Sequence, residues 1–321
     1  YLPLAHVFER GVTENASLYQ GATISFLESL DKMAVQLAEV APDRFVAVPL
    51  VWTRFQKAIL EKLPQHKLDR LLKIPLLNSY IKKKLLSAIG LQNAKLCISG
   101  AAPLAPSTIE WFSRLGIDVM QGYGMSENSA YVSTCRPGEN KIGSVGRANP
   151  GCEVQIDDSG EILIKHPAVF PGYYKDEEKT NERFKTFNGK RWVIPGDFAT
   201  VEADGSITLL GRGSVCINTG GEKVFPEEVE EALKAHENIK DALVVGVTDK
   251  RWGSKVCAVF NTIDGSELSL EEVQAHCRKH VAGYKVPRLI LNSDVVERFP
   301  SGKPDYKWAE KLCADATAAQ A

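Results

Sequence analysis

Ala94-Lys95-Leu96-Cys97-Ile98-Ser99-Gly100-Ala101-Ala102-Pro103-Leu104, then Pro106 to Leu115, then Ile117-Asp118-Val119-Met120-Gln121-Gly122-Tyr123-Gly124-Met125-Ser126-Glu127, is the stretch on which the fold turns. Ala94 to Ser99 reads as a short buried strand that runs into a loop of small residues. A helix is expected at about Pro106 to Leu115, and Ile117 to Met120 is the next strand, opening on the polar cluster Gln121 to Glu127. Strand, helix, strand and polar loop make a parallel α/β sheet, in which ligands sit beyond the carboxyl ends of the strands. Both loops therefore belong to one edge.

Upstream, Leu2 to Arg10 reads as the end of a buried strand entering a helix, with His6 open between a core histidine and a functional one. A polar loop at Ile24 to Leu30, a helix from about Leu30 to Glu39, and a strand over Arg44 to Pro49 stopped by proline follow. From Arg54 to Gly90 the pattern is helical and basic, with Lys57, Lys62, Lys67, Arg70, Lys73, Lys82, Lys83 and Lys84 interleaved with Leu and Ile. Such a stretch suits either an anionic membrane surface or a solvated helical hairpin covering the core, and the hairpin is preferred.

Downstream of Gly151 the pattern changes to hairpins. Glu153 to Ile156 and Glu161 to Ile164 alternate around Asp157-Asp158-Ser159-Gly160, and Phe198 to Val201 pairs with Ser206 to Leu209 across Asp204-Gly205. Past Gly211-Arg212 a small α+β unit is expected. Pro226, Glu227 and Glu228 suit the first turn of a helix, Ala242 to Val247 and Cys257 to Asn261 are strands, and Ser269-Leu270-Glu271-Glu272 is a capping box. Asp315 to Ala321 are expected to fray.

At 321 residues the chain has room for about two domains. Its 44% hydrophobic and 25% charged residues and its net charge of -1 give no electrostatic footprint for nucleic acid, so any anion site must be local. Seven scattered cysteines without a Cys-x-x-Cys pair read as reduced, mostly core thiols of a cytosolic protein. The chain starts at Tyr1 inside an apolar segment, which is expected of a piece of a longer polypeptide.

Five clusters carry chemistry. Beside its glycines the Tyr123 ring can stack on a base, the Ser126 hydroxyl can donate to a phosphate, and the Glu127 carboxylate can hold Mg²⁺, although a Gly-Tyr-Gly turn with a Glu is common by itself. Asp197 can accept two ribose hydroxyls or form an Asx turn, and Arg212 can reach the same sugar or a phosphate, or make a surface ion pair. Gly220-Gly221 offers bare backbone for a tight turn or for a narrow ligand. Lys303 sits on a loop marked by Pro300, Gly302 and Pro304 and would act as a mobile ammonium against a phosphate.

Gln121 to Glu127, Pro195-Gly196-Asp197, Gly211-Arg212, Gly220-Gly221-Glu222-Lys223-Val224-Phe225-Pro226-Glu227-Glu228-Val229-Glu230 and Pro300-Ser301-Gly302-Lys303, in this order, resemble the adenylate-forming (AMP-binding) acyl-CoA synthetase family over essentially the whole chain. The resemblance implies residues 1–212 as the carboxyl-terminal part of a large α/β domain, whose 150–212 form an antiparallel β subdomain, and 213–321 as a small mobile α+β domain. It also implies ATP, Mg²⁺ and coenzyme A acting on a fatty acid. Gly100, Ala101, Ala102, Gln121, Gly122 and Tyr123 would frame the adenine, Ser126 would touch phosphate and Glu127 would hold Mg²⁺. Asp197 and Arg212 would grip the ribose, and Gly220 and Gly221 would line the pantetheine passage. Lys303 would stabilise charge as the carboxylate attacks the α-phosphate, and would then leave as the small domain rotates for thiol attack. Leu2 to Arg10 looks like the long-chain version of the segment beside the acyl pocket, which makes His6 a pocket residue. A cytoplasmic enzyme with peripheral contact at the inner membrane surface is the matching expectation.

Three departures qualify the resemblance. The family's Gly/Ser/Thr-rich phosphate loop with its lysine is absent from these residues, so the 321-residue chain alone is expected to have little synthetase activity. Ser214 stands where the hinge usually carries Asp or Lys. Up to about Phe184 the likeness is to long-chain enzymes, whereas Gly211 to Thr219 and Pro304 to Trp308 look like a branch that takes varied acyl or sterol-derived acids. An acyl-AMP ligase that loads a carrier protein, and a non-catalytic nucleotide-binding or docking module, remain as alternatives.

Overall fold

The structure, a computed structural model, describes residues 1–299 and 302–319. Pro300 and Ser301 of the Pro300 to Lys303 motif lie outside the described residues. Two compact units are present. One comprises residues 1–156, 163–195 and 201–208, and the other residues 157–162, 196–200 and 209–321.

In the first unit, the strand end expected at the start of Leu2 to Arg10 is not formed, whereas the expected helix entry is. Pro3 has no amide hydrogen for a ladder, and its carbonyl accepts from His6 N–H (2.8 Å), closing a turn that leads into a helical segment: Glu9–Asn15 in π-helical geometry, then α1 (Ala16–Gln20). Met33–Val40 (α2) and strand β1 (Arg44–Ala47) follow. The expected hairpin over Arg54 to Gly90 is three helices, α3 (Pro49–Lys62), α4 (Gln65–Leu72) and α5 (Pro75–Ala88). Pro64 and Pro75 push the residues before them, Leu63 and Ile74, out of helical geometry and so divide the stretch.

Strand β2 (Leu96–Ser99), helix α6 (Pro106–Leu115) and strand β3 (Val119–Tyr123) form the expected crossover. β1, β2 and β3 are parallel and in register at Phe45, Cys97 and Val119. β4 (Ser133–Thr134) and β5 (Arg147–Ala148) continue the same sheet antiparallel. Trp52 of α3 anchors the core edge-on between Phe45 and Phe112, at centroid separations of 5.3 and 5.2 Å. The polar loop starts later than expected. β3 runs on through Gln121 to Tyr123 because Gly122 and Tyr123 pair with Thr134 and Ser133. β6 (Glu153–Ile156), β7 (Ile162–Lys165), α7 (Glu177–Glu182), β8 (Phe184–Phe187) and β9 (Lys190–Val193) follow, and the strands make an antiparallel sheet in the order β6-β7-β9-β8.

Hairpin β10 (Asp197–Val201) and β11 (Ile207–Arg212) precedes the sheet of the second unit. That sheet has the order β13-β12-β15-β14, from β12 (Ile217–Thr219), β13 (Glu222–Val224), β14 (Ile239–Asp249) and β15 (Gly253–Thr262), with β16 (Leu289–Asn292) parallel to β15. Strand alternation gives it two apolar faces. Ala242, Val244, Val256 and Ala258 pack against Val229 and Leu233 of α8 (Pro226–Lys234) and Val273 of α9 (Leu270–Cys277). Leu243, Val245, Cys257 and Val259 pack against Ala309 and Cys313 of α10 (Tyr306–Ala319).

Two expectations are overturned here. Asp315 to Ala319 continue α10 rather than fraying, on a helix seated on that second face, while Gln320 and Ala321 lie outside the described residues. Cys257 and Cys313, read as reduced thiols, form a disulfide with a Cα–Cα separation of 6.8 Å. Their separation of 56 residues concealed the pair, which arises only because α10 packs across β15.

Candidate active site

In the first unit, a cavity of about 70 Å³ opens beside the carboxyl ends of β2 and β3, with His6, Phe8, Ala101, Gly122, Tyr123 and Thr134 on its wall. Four of the expected residues thus meet: His6, Ala101, Gly122 and Tyr123. The His6 ring is fixed locally, its Nδ1 accepting Phe8 N–H at 3.2 Å. Gly100 is set by close approach, since a Cβ there would stand 2.9 Å from Phe8 Cζ. Ala102 is exposed on the same loop and lies off the wall. Gln121 is buried, and its amide is spent on the scaffold: Oε1 accepts Leu104 N–H (3.1 Å) and Nε2 donates to the Ser144 carbonyl (3.2 Å).

Ser126 and Glu127 open a short 3₁₀ turn, with Ser126 exposed. Glu127 is held from two sides by one loop. Tyr173 Oη donates to Glu127 Oε1 at 2.6 Å, and Phe170 N–H donates to the Glu127 carbonyl at 2.7 Å. Burial, reinforced by the Glu127 hydrogen bond and charge, raises the Tyr173 phenol above its ordinary value, so it stays a proton donor.

In the second unit, Asp197 is buried at the start of β10, and Arg212 at the end of β11 approaches it, Nε to Oδ1 at 3.3 Å. The guanidinium is 65% exposed, so donors remain for a ligand beside the carboxylate. Glu227 Oε1 accepts Arg212 N–H (3.3 Å), and burial raises the Glu227 carboxyl above its usual range. Gly220 and Gly221 form the tip of the β12–β13 hairpin, at φ of 61° and 89°, a turn that requires positive φ twice. Trp252 underlies Gly220 and takes its N–H on the main-chain carbonyl (2.8 Å), while the Cβ direction of Gly221 is open. Lys303 is exposed, and its carbonyl accepts the Phe299 N–H (2.9 Å).

Among the described residues, no group of three or more His, Cys, Asp or Glu side chains is placed to hold a metal ion. Glu127 is a hard oxygen donor suited to a cation carried mainly by phosphates.

The model of the AMP-binding enzyme family matches residues 1–174, more than half of the chain. The chain belongs to the AMP-binding enzyme family. Residues 228–303 match the AMP-binding enzyme C-terminal domain. A medium/long-chain-fatty-acid–CoA/3-oxocholest-4-en-26-oate–CoA ligase of Mycolicibacterium smegmatis is 53% identical over 169 residues, 50% of this chain and 31% of that protein. A 3-oxocholest-4-en-26-oate–CoA ligase of Rhodococcus rhodochrous is 51% identical over 54% of this chain and 28% of its own length. These matches span about a third of each relative. ATP-bound MatB from Rhodopseudomonas palustris superimposes with a TM-score of 0.79 at 25% identity, covering 98% of this chain and 59% of that one.

In this AMP-binding enzyme, sequence reasoning passed over Tyr173 and Trp252 and gave Phe8 and Glu227 no part in the site. The Gly172-Tyr173-Tyr174 run ahead of the Asp176 cap was a usable signal for the first. Phe8 and Trp252 are ordinary apolar residues whose place at the site comes from packing, and Glu227, read as a first-turn helix acid, is buried there by packing. Among the described residues no helix is long and apolar enough to cross a membrane.

Proposed function

We propose that these residues are the carboxyl-terminal part of an ATP-dependent fatty acid:CoA ligase. The acid attacks the α-phosphate of ATP to give acyl-AMP and pyrophosphate, and the coenzyme A thiol then displaces AMP. The observation that carries this reading is the gathering of His6, Ala101, Gly122 and Tyr123 around one cavity, with Glu127 fastened on the turn that follows β3. The names of the relatives support an acid with a large apolar tail, fatty or sterol-derived.

In this reading Tyr123 stacks on adenine, Ser126 donates to phosphate, and Asp197 with Arg212 receives the ribose. Glu127 would hold Mg²⁺, which supplies charge neutralisation on the phosphates when bound. Lys303 offsets negative charge developing at the α-phosphate. The pantetheine arm passes the open side of Gly221. Residues 213–321 act as the mobile small domain.

The test is acid-dependent ATP–pyrophosphate exchange by the native polypeptide carrying these residues, across a series of fatty and steroid acids. Exchange that requires the acid and is abolished in Lys303→Ala and Glu127→Gln is the expected result. Nucleotide binding with no exchange for any acid would favour a docking module.

A further inference from the structure

The backbone just before Lys303 is fastened by one guanidinium. Arg298 donates through Nε to Asp241 Oδ2 (2.7 Å) and through Nη2 to Asp241 Oδ1 (2.8 Å), a two-pronged pairing that fixes the plane of the head group. Its remaining nitrogen, Nη1, donates to the carbonyl of Gly302, the residue before Lys303, at 3.3 Å. Further hydrogen bonds join the described residues on either side of Pro300 and Ser301. Phe299 N–H meets the Lys303 carbonyl (2.9 Å), Gly302 N–H meets the Phe299 carbonyl (2.7 Å), and Arg298 bridges Pro304 antiparallel.

Asp241 is itself placed by the sheet. The β14–β15 register shifts between Ile239 and Asp241, and the Asp241 carboxylate also takes the N–H of Ala242 at 2.9 Å. The pair is partly buried, at 22% and 26% side-chain exposure, so solvent does not fully screen it. A rigid strand thus holds Arg298, and Arg298 holds the backbone one residue from an exposed lysine.

We propose that Asp241 and Arg298 are positioning residues for Lys303, setting the place and direction of the Gly302–Lys303 backbone for the adenylation half-reaction. This rests on the ligase reading above, in which Lys303 serves acyl-AMP formation and is withdrawn for thioester formation. Neither residue touches substrate. Their effect is confined to the step that uses Lys303.

The test compares Asp241→Asn, which keeps shape and removes charge, and Arg298→Lys, which keeps charge and removes the fork. Both are made in the native polypeptide carrying these residues. ATP–pyrophosphate exchange is expected to fall by about 100-fold in both variants, the scale of a misplaced catalytic group, while thioester formation from supplied acyl-AMP stays at the unsubstituted level. Hydrogen exchange at the Phe299 and Gly302 amides is expected to accelerate by about tenfold, with protection retained along β14 and β15, which verifies that each variant is folded. Equal losses in both half-reactions, or unchanged exchange at those two amides, overturn the proposal. If the unsubstituted polypeptide performs neither half-reaction, the ligase reading fails. The amides then decide alone: acceleration supports the clamp and protection overturns it. Should one variant unfold, the other decides by the same criteria.

Discussion

Tyr173 Oη and Glu127 Oε1, 46 residues apart in the chain, meet at 2.6 Å. The contact occupies one lone pair of Oε1 and fixes the direction of the carboxylate. The same loop is tied to the Glu127 main chain through Phe170, so it acts on the carboxylate and on the turn that bears it.

Tyr173→Phe should therefore loosen the carboxylate without removing it. A hydrogen bond to a charged group contributes about 1.5–3 kcal/mol. The magnesium concentration for half-maximal pyrophosphate exchange should accordingly rise by about tenfold, with a larger rise in Glu127→Gln. Magnesium titration of the two variants checks the order. A Tyr173→Phe profile identical to that of the unsubstituted protein would remove the positioning role.

Gly100 faces a buried ring. Phe8 Cζ and Cε2 would stand 2.9 and 3.0 Å from an added Cβ, so Gly100→Ala forces the ring towards the cavity. Overpacking of this kind costs about 1–3 kcal/mol. Urea unfolding should detect the loss, and Phe8→Leu combined with Gly100→Ala should recover most of it, because the smaller side chain vacates the contested space.

Glu230 is almost wholly buried on α8, accepts Val244 N–H at 3.0 Å, and has its carboxyl pushed up to about 8 by burial, from an ordinary value of 4.5. Between those two values the folded state holds a proton that the unfolded chain releases, so stability falls as pH rises through this window. Glu230→Gln removes that penalty. Its advantage should be near zero at pH 4.5, grow towards pH 8, and reach a few kcal/mol above it, roughly the scale of the shift. Unfolding curves at pH 5 and pH 9 decide it; an advantage independent of pH would mean that ionisation of Glu230 is not the cause.

The Cys257–Cys313 bridge closes a loop of 56 residues over the β15–α10 face. Reduction should cost about 2–4 kcal/mol, by restoring freedom to the unfolded chain. Chemical unfolding with and without a thiol reductant measures the difference, and Cys313→Ser should show the lower stability in both conditions.

Much of this molecule was legible because its periodicities are local. The crossover β2–α6–β3 and the pair β14–β15 follow from alternating and helical apolar spacing, and the Ser269 capping box closes as expected, Ser269 Oγ accepting Glu272 N–H. Where the reading fell short, either a local turn or a distant partner decided the outcome. Leu2 to Arg10 has a strand-like composition but turns locally at Pro3, and the side-chain amide of Gln121 is held by Leu104 and Ser144, 17 and 23 residues away.

The residue types themselves settled the parallel core, the hairpin region, the α+β unit after Gly213 and the ordered polar motifs, since each depends on spacing within a few turns or on backbone freedom at a glycine. Tertiary structure alone decided which polar groups act on one another. Tyr173 reaches Glu127, Arg212 reaches Asp197, Asp241 fastens Arg298 beside the Gly302–Lys303 backbone, and Cys257 finds Cys313. A hydrogen bond, ion pair or disulfide forms only within a few ångströms, and across tens of residues that distance is fixed by how sheets and helices bury their apolar faces, not by position in the chain.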